Sequence, residues 1–326
     1  MDALSDLLDG VRARGALFSR SILEPPWSVC FDDFMPLTLI TMVRGRSWVV
    51  PEKGEPLPLA VGDIAVLRGP AVHTVASPPD AATTCTVLSE QVCLGADGTA
   101  LNEDIVLGVR TYGHSLDAPD LMLSGGFEVG GEVGRRLLSA LPEVLVVPAG
   151  ACHDPLTRII GNEMGLQAPG QQVVLDRLLD LALVAALRAW FDRPEADPPA
   201  WYTALGDPVV GAALRAVHNR PDTAWTVAEL ARVCGVSRAT LARDFTALVG
   251  VPPMAYLAEW RMTLAADLLR NTQETVGAIA RRVGYADAFA FSAAFKRVRG
   301  VSPSEHRRGG PPAGPSSVGQ VEAAHV

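Results

Sequence analysis

Residues 225–308 read WTVAELARVCGVSRATLARDFTALVGVPPMAYLAEWRMTLAADLLRNTQETVGAIARRVGYADAFAFSAAFKRVRGVSPSEHRR, and within them the chain repeats itself once. Thr226-Val227, Ala231-Arg232 and Gly235 return 49 residues later as Thr275-Val276, Ala280-Arg281 and Gly284. Leu241, Phe245, Gly250, Val251 and Pro253 return 50 residues later as Phe291, Phe295, Gly300, Val301 and Pro303. Each copy predicts a short helix (227–233; 276–283), a tight turn at glycine, and a second helix opening on an N-cap candidate, Ser237 or Asp287. Two helices joined by a short glycine turn are a helix-turn-helix. Spacings of 4 and 3 place Leu241, Phe245 and Leu248, and in the second copy Phe291, Phe295 and Val298, on a buried stripe. The opposite faces are left for DNA: Ser237, Arg238, Ala239, Thr240, Ala242, Arg243 and Thr246 in copy one; Ala288, Phe289, Ala290, Ser292, Ala293, Lys296 and Arg297 in copy two. A helix over 254–270 would fix the two units so that both recognition helices enter successive major grooves, about 34 Å apart. A packed helical repeat is the competing reading, but solenoids need about three contiguous repeats, and here two copies flank a long helix.

Charge supports the same reading. The 326 residues carry a net charge of −8, yet residues 207–308 hold 14 basic and 9 acidic side chains, a net of +5, against −13 for the remainder. An acidic body thus carries a basic module suited to a polyanion. The repeat, with Arg261-Met262, Ala265 and Leu268-Leu269 between its copies and Ile279-Ala280, Val283-Gly284-Tyr285, Phe291-Ser292, Phe295-Lys296 and Gly300-Val301-Ser302-Pro303 in the second, resembles the double helix-turn-helix domain of AraC/XylS-type transcription regulators. The resemblance implies a one-component regulator that binds double-stranded promoter DNA through both units and contacts RNA polymerase. Such regulators often have a serine-arginine pair where this chain has Ser292-Ala293, so copy two is expected to supply phosphate contacts from Lys296 and Arg297, with apolar contact to thymine methyls. Base reading then rests on copy one, where Arg238 and Arg243 can pair bidentately with guanine; a phosphate contact is the alternative for Arg238.

Upstream, residues 27–109 run in short β-branched or alternating pieces, 37–43, 47–50, 64–67 and 83–89, separated by turn signals such as Arg44-Gly45 and Gly62-Asp63. They predict a small β-sandwich or barrel. Helical periodicity follows over 132–141 and over 171–191, where Val174, Leu178, Leu181, Ala185 and Ala189 recur every three or four residues. The β region, with Leu57-Pro58-Leu59 and Gly62-Asp63-Ile64 before Pro70 and His73, resembles the cupin-type sensor domains that precede this DNA-binding module. The expected fold is therefore α+β and multidomain. A cupin-like β-barrel with appended helices (1–191) precedes a proline-bearing linker (192–206), an all-α domain of two helix-turn-helix units joined by a long helix (207–308) and a disordered tail (309–326).

The sensor chemistry is sparser. Metal-binding cupins cluster several inward histidines and a carboxylate, whereas His73 stands alone in the β region, and His114, His153 and Asp154 restore no ligand spacing. No metal or cofactor is expected. The runner-up function, a cupin-type enzyme with an accessory helical domain, lacks a ligand cluster, a G-x-S-x-G elbow, a P-loop and a G-x-G-x-x-G loop. A barrel of this type can hold a small-molecule effector, with Trp27, Phe31, Phe34, Trp48 and His73 as wall residues; simple core filling is the alternative. Five cysteines are too scattered for a disulfide scaffold, which fits a reducing cytoplasm. Three of them, Cys30, Cys85 and Cys93, share the β region and would make a thiol switch where two come within about 7 Å between Cα atoms. The segment MDALSDLLDGVRARG reads as a short amphipathic helix rather than a signal peptide, and charges interrupt the apolar run 175–190, so no membrane span is expected. The apolar face of helix 171–191 is broad enough for a partner helix, which would make a homodimer; packing on its own β domain is the alternative.

Overall fold

Every second residue of Trp27–Phe31 and the first and third residues of Ser47–Pro51 and His73–Ser77 are buried, as a strand with one face on a core requires, and these segments lie side by side. The structure, a computed structural model, describes residues 2–309 apart from 10, 13–18, 33–34, 90–91, 102–104, 152–153, 165, 167, 194–195 and 197. Phe34, Cys152, His153, part of the expected linker and nearly all of the expected tail lie outside the described residues.

The chain divides into two compact units. One comprises Leu7–Gly130 and Gly134–Tyr202; the other comprises residues from Thr203 onward with the short segments 2–6 and Gly131–Val133. In chain order the elements of the first region are α1 (Ala3–Asp9), β1 (Val11–Arg12), β2 (Ser19–Leu23), β3 (Trp27–Phe31), β4 (Leu37–Arg44), β5 (Ser47–Pro51), β6 (Leu57–Leu59), β7 (Ile64–Arg68), β8 (His73–Ser77), β9 (Cys85–Ser89), β10 (Val92–Gly95), β11 (Val106–Gly108), β12 (Thr111–Gly113), β13 (Asp120–Val129), α2 (Gly131–Leu138), β14 (Val144–Val147), α3 (Asp154–Met164) and α4 (Gln171–Phe191). One sheet runs β11-β12-β2-β13-β4-β7-β14, with β1 on β13; the other runs β10-β9-β3-β8-β5-β6. Between them lies an apolar core to which β3, β5 and β8 give Trp27, Val29, Phe31, Val49 and Val75, and β4, β7 and β13 give Ile40, Met42, Ala65, Leu67 and Met122.

One polar bond sits inside this core. Trp27 donates its indole N–H to Asp120 Oδ2 at 2.7 Å, with Trp27 and Asp120 both buried. The carboxylate needs room beside the hairpin turn between β4 and β5: at Gly45, whose φ is +85°, a Cβ would fall 1.8 Å from Asp120 Oδ1. Glycine therefore satisfies both the left-handed backbone and the close approach.

Helix α4 is where the periodicity misleads. The buried residues are Leu175, Leu179, Ala182, Leu183, Ala186, Leu187 and Phe191, a stripe rotated by about one residue from the expected Val174, Leu178, Leu181, Ala185 and Ala189. Leucines at 175, 178, 179, 181, 183 and 187 make the helix apolar nearly all round, so spacing alone does not choose the face that packs.

The second unit is helical: α5 (Ala200–Ala204) leads into it, followed by α6 (Val210–Asn219), α7 (Val227–Val233), α8 (Arg238–Val249), α9 (Pro253–Asn271), α10 (Val276–Arg282), α11 (Ala288–Arg299) and α12 (Pro303–Arg308). Helix α5 stands inside the stretch expected to be linker, directly after Pro198-Pro199, where proline ends one helix and can begin the next. In α9 the side chains of Tyr256, Leu257, Trp260, Met262, Ala265, Ala266 and Leu269 are buried, which makes it the central helix of the unit. His218 of α6 is sealed against it, its Nε2 2.9 Å from Tyr256 Oη, its ring 4.4 Å from that of Trp260 and its Nδ1 2.7 Å from Asp6.

Replacing Trp27 with Phe keeps the aromatic ring and removes the only donor to the buried Asp120 side chain among the described residues. Trp27→Phe is expected to cost about 2–3 kcal/mol, the scale for a hydrogen bond to a charged buried group. Urea unfolding of variant and parent measures this, and a loss below about 0.5 kcal/mol would contradict it.

Candidate nucleic-acid interface

Both recognition helices are capped by the residues their sequences mark. Ser237 accepts the backbone N–H of Thr240 at 3.1 Å and starts α8; Asp287 accepts those of Phe289 and Ala290, each at 2.8 Å, and starts α11. The first helix of copy one carries a full capping box, with Thr226 and Glu229 satisfying each other's backbone N–H groups. Glycines in the left-handed region close the turns, Gly235 at φ +70° and Gly284 at φ +81°.

In α8, Leu241 and Phe245 are buried while Ser237, Arg238, Ala239, Arg243 and Thr246 are exposed, so the expected DNA face points to solvent. Thr240 and Ala242 are half-buried beside them. Leu248 and Val298 depart from the expected stripes, being 38% and 41% exposed: each lies in the last turn of its helix, past the packed stretch. In copy two the stripe is completed one turn earlier by Ala294, next to Phe291 and Phe295.

The polar groups differ in readiness. Arg238 lines an open hollow of about 560 Å³ with Val227, Ser237, Ala239 and Ala242, at the N-terminal end of α8. Arg243 is exposed and donates from Nε to Asp244 at 2.8 Å, a contact that pushes its guanidinium pKa up. Exposed pairs of this kind hold weakly, so Arg243 can exchange its partner for a base edge. Thr246 and Ser292 return their hydroxyl protons to their own helices, to the carbonyls of Ala242 and Ala288, both at 2.7 Å. In α11 Ala290, Ala293, Lys296 and Arg297 are exposed, Ala288 and Ser292 are half-buried, and Phe289 is 89% exposed. Arg299 is engaged elsewhere, donating to Thr263 at 3.0 Å and lying 3.6 Å from Glu132.

What fixes the two copies together is Arg261 of α9, a residue quoted for the family resemblance whose role the spacing does not reveal. Its Nε donates to the Pro221 carbonyl at 2.7 Å and a terminal nitrogen to that of Thr223 at 2.6 Å, both in the loop before α7. The same guanidinium lies 5.7 Å from the ring centre of Tyr285, in the turn of copy two. Burial pushes its pKa down, opposed by Tyr285 and Asp222. At Gly284 a Cβ would come within 2.4 Å of this guanidinium, so the turn glycine keeps the passage open. A second network missed by the sequence reading surrounds Asp267 of α9, which accepts the backbone N–H groups of Glu132 and Val133.

In the β region Trp27 and Phe31 belong to the core, and His73, 3% exposed, pairs across strands with Phe31 and Pro51 and so shares their face. Trp48 does not join them: it alternates with the buried core residue Val49 and therefore stands on the other face of the sheet. The three thiols separate in the same way. Cys85 faces the core and shares a face with Cys93, whereas Cys30 pairs with Thr74 and Thr86 on the opposite face. Among the described residues no three His, Cys, Asp or Glu side chains converge as a metal site.

Comparison with known proteins gives a consistent picture. Residues 2–192 match the family described as Cupin, and residues 230–309 the family described as helix-turn-helix domain. A putative AraC-like transcription regulator of Streptomyces antibioticus is 34% identical over 313 residues, covering 94% of this chain and 99% of that protein. The HTH-type transcriptional regulator AlkR of Acinetobacter baylyi is 28% identical over 94% of this chain and 99% of its own length. Among solved structures, an AraC-type DNA-binding-domain regulator from Chromobacterium violaceum is 26% identical and covers 32% of this chain and 94% of that chain, with a TM-score of 0.30.

Arg261→Met preserves the aliphatic stem and abolishes both hydrogen bonds to the loop before α7. It is expected to destabilise the helical unit by about 3–6 kcal/mol, the sum of two charge-assisted bonds. Thermal and urea unfolding read the loss, and an unchanged midpoint would show that Arg261 holds nothing.

Proposed function

The chain belongs to the AraC-like transcription regulators, a cupin domain followed by a helix-turn-helix domain, and from that premise we propose how this member divides its work. It is a sequence-specific DNA-binding regulator, and the enzyme alternative falls with the family assignment. In the proposed reading, α8 reads bases and α11 anchors the complex on phosphate. The observation that carries this is the contrast between the two exposed faces. The hollow at the start of α8 is lined by Arg238, and Arg243 stands exposed further along the helix, while α11 opens on Ala288, Phe289 and Ala290 and keeps its cations, Lys296 and Arg297, for its last turn. Phe289 offers an apolar surface to thymine methyl groups, which fits major-groove contact without donors.

Three partners complete the proposal. RNA polymerase is the target of the bound regulator at the promoter. The effector is a small molecule with a polar group on an apolar body, held in the barrel beside Trp27, Phe31 and His73. Support comes from two buried core-facing atoms, His73 Nδ1 and Ser47 Oγ, that find no hydrogen-bond partner among the described residues. Each such atom left unpaired costs about 1–3 kcal/mol, which a ligand bearing the complementary group would recover. The third partner is a second copy. Val174 and Leu181, seven residues apart on α4, are 44% and 55% exposed, leaving an apolar stripe that an isologous contact would cover. No described helix is long and apolar enough to cross a membrane; the cytoplasm is proposed as its compartment because promoter DNA is there.

Selection of genomic fragments by the full-length protein supplies the operator. On it, Arg243→Ala is expected to lose about 1–3 kcal/mol while binding random DNA almost unchanged, whereas Lys296→Ala weakens both alike and lowers the salt slope by about 1. Equal losses for Arg243→Ala on both DNAs would overturn its reading role. For the dimer, Leu181→Glu is expected to convert a two-chain species into a single chain in sedimentation at micromolar concentration. A parent protein that is itself a single chain under those conditions would refute the α4 interface.

A further inference from the structure

The hairpin formed by β9 and β10 places two thiols against each other. In its register Cys85 lies opposite Gly95 and Cys93 opposite Val87, so all four side-chain positions share one face and the two cysteines are diagonal neighbours. The strands shift register between Val92 and Cys93, an irregularity that re-aims the side chains beside it. The two thiols sit close enough to perturb each other, the interaction pushing the Cys93 thiol pKa down and that of Cys85 up. Both residues are half-buried, within reach of a small molecule but shielded from bulk solvent on the core side. Strand β10 is the last named strand of its sheet, and its outer edge is held by the 99–101 segment, with the Leu101 N–H donating to the Cys93 carbonyl at 2.9 Å, so the backbone that carries Cys93 is fixed beside β9. Neither thiol is needed by any of the groups assigned to DNA or to the barrel effector.

We propose that Cys85 and Cys93 are a reversible two-electron redox site, closed to an intramolecular disulfide by a hydroperoxide. The Cys93 thiolate attacks the peroxide oxygen, the O–O bond breaks, and Cys93 becomes a sulfenic acid as the leaving alkoxide or hydroxide takes up a proton. The Cys85 sulfur then attacks Cys93 sulfur, the S–O bond breaks, and the hydroxyl departs as water with the proton that Cys85 carried. Two thiols and one hydroperoxide give one disulfide, one alcohol or water, and one water. Two electrons pass from sulfur to oxygen. Reduction by a dithiol reverses the state. Cys30 takes no part, because the strand register holds it on the opposite face, between the hydroxyls of Thr74 and Thr86.

The sequence allows a clean test on the full chain. No Lys or Arg occurs between Arg68 and Arg110, so trypsin releases both cysteines in one peptide, and Glu90 between them allows a second cleavage that separates them. Reduced protein is treated with stoichiometric hydrogen peroxide, free thiols are blocked with N-ethylmaleimide, and the digests are weighed. The expected peptide of residues 69–110 is two hydrogens lighter, and cleavage at Glu90 leaves its halves joined until a reductant is added. Both cysteines fully blocked after the peroxide is consumed, or a link to Cys30 or to another chain instead, would overturn the proposal. Cys85→Ala removes the neighbouring thiol, and is expected to slow alkylation of Cys93 at neutral pH by about tenfold and to leave a peroxide-treated Cys93 that dimedone traps as sulfenic acid. An unchanged alkylation rate would show that the two thiols do not interact; the digest of the parent protein decides the disulfide whether or not that variant folds.

Discussion

A single guanidinium sets the geometry on which DNA reading depends. Arg261 binds the two carbonyls of the loop that leads into the first helix-turn-helix and lies over Tyr285, in the turn of the second. A charge withdrawn from water is retained only where its donors are satisfied, and here those acceptors belong to one copy and the aromatic face to the other. The arrangement makes the relation between the copies a property of the folded unit. Linker helix α9 supplies the rest of the rigidity: Met262, Ala265, Ala266 and Leu269 share a core with Ile279, Ala280, Phe291 and Phe295 of copy two, and Tyr256 meets Phe245 of copy one edge to face. Two reading heads that are already oriented lose little further freedom when they bind.

That rigid frame explains why the two heads can be chemically unequal. A helix that reads bases needs exposed donors, and in the proposed reading α8 supplies them through the exposed Arg238 and Arg243. A helix fixed in register by its partner needs only to stay on the backbone, which cations suffice to do. Ser292 illustrates the difference. It occupies a position that faces DNA in the family pattern, yet its hydroxyl proton is spent on the Ala288 carbonyl one turn back. In the proposed reading the apolar opening of α11 is tolerable because α9 packs against both copies.

Much of this was legible in the sequence, and the failures have physical causes. The two helix-turn-helix units, their caps at Ser237 and Asp287 and the exposed faces of α8 and α11 follow from local rules, since caps and turns are set by neighbours in the chain. The strands at 37–44, 47–51 and 64–68 were similarly marked by β-branched residues between turn signals. Face was harder than element. On α4 apolar residues nearly encircle the helix, and the buried stripe is decided by what packs on it; among Trp27, Trp48 and Phe31 a strand's alternation had to be combined with a pairing register that no local pattern contains. Arg261, Asp267 and Asp120 were missed for the same reason. Each acts on groups dozens of residues away, and a lone charged residue in a helix or strand carries no mark of the partner it will meet.

The β unit shows the same economy in a different form. Its core is apolar on both sheets and closes over one polar bond, Trp27 to Asp120, which Gly45 makes room for. Polar atoms without partners in such a place, His73 Nδ1 and Ser47 Oγ, each cost the folded unit about 1–3 kcal/mol. A sensor benefits from that cost, because a ligand can shift an equilibrium only by the difference between its interactions in the two states. A core perfectly satisfied without its effector would have nothing left to gain on binding. In the proposed reading the unpaired atoms are where an effector gains free energy, and the α8 guanidinium groups are where the output meets DNA.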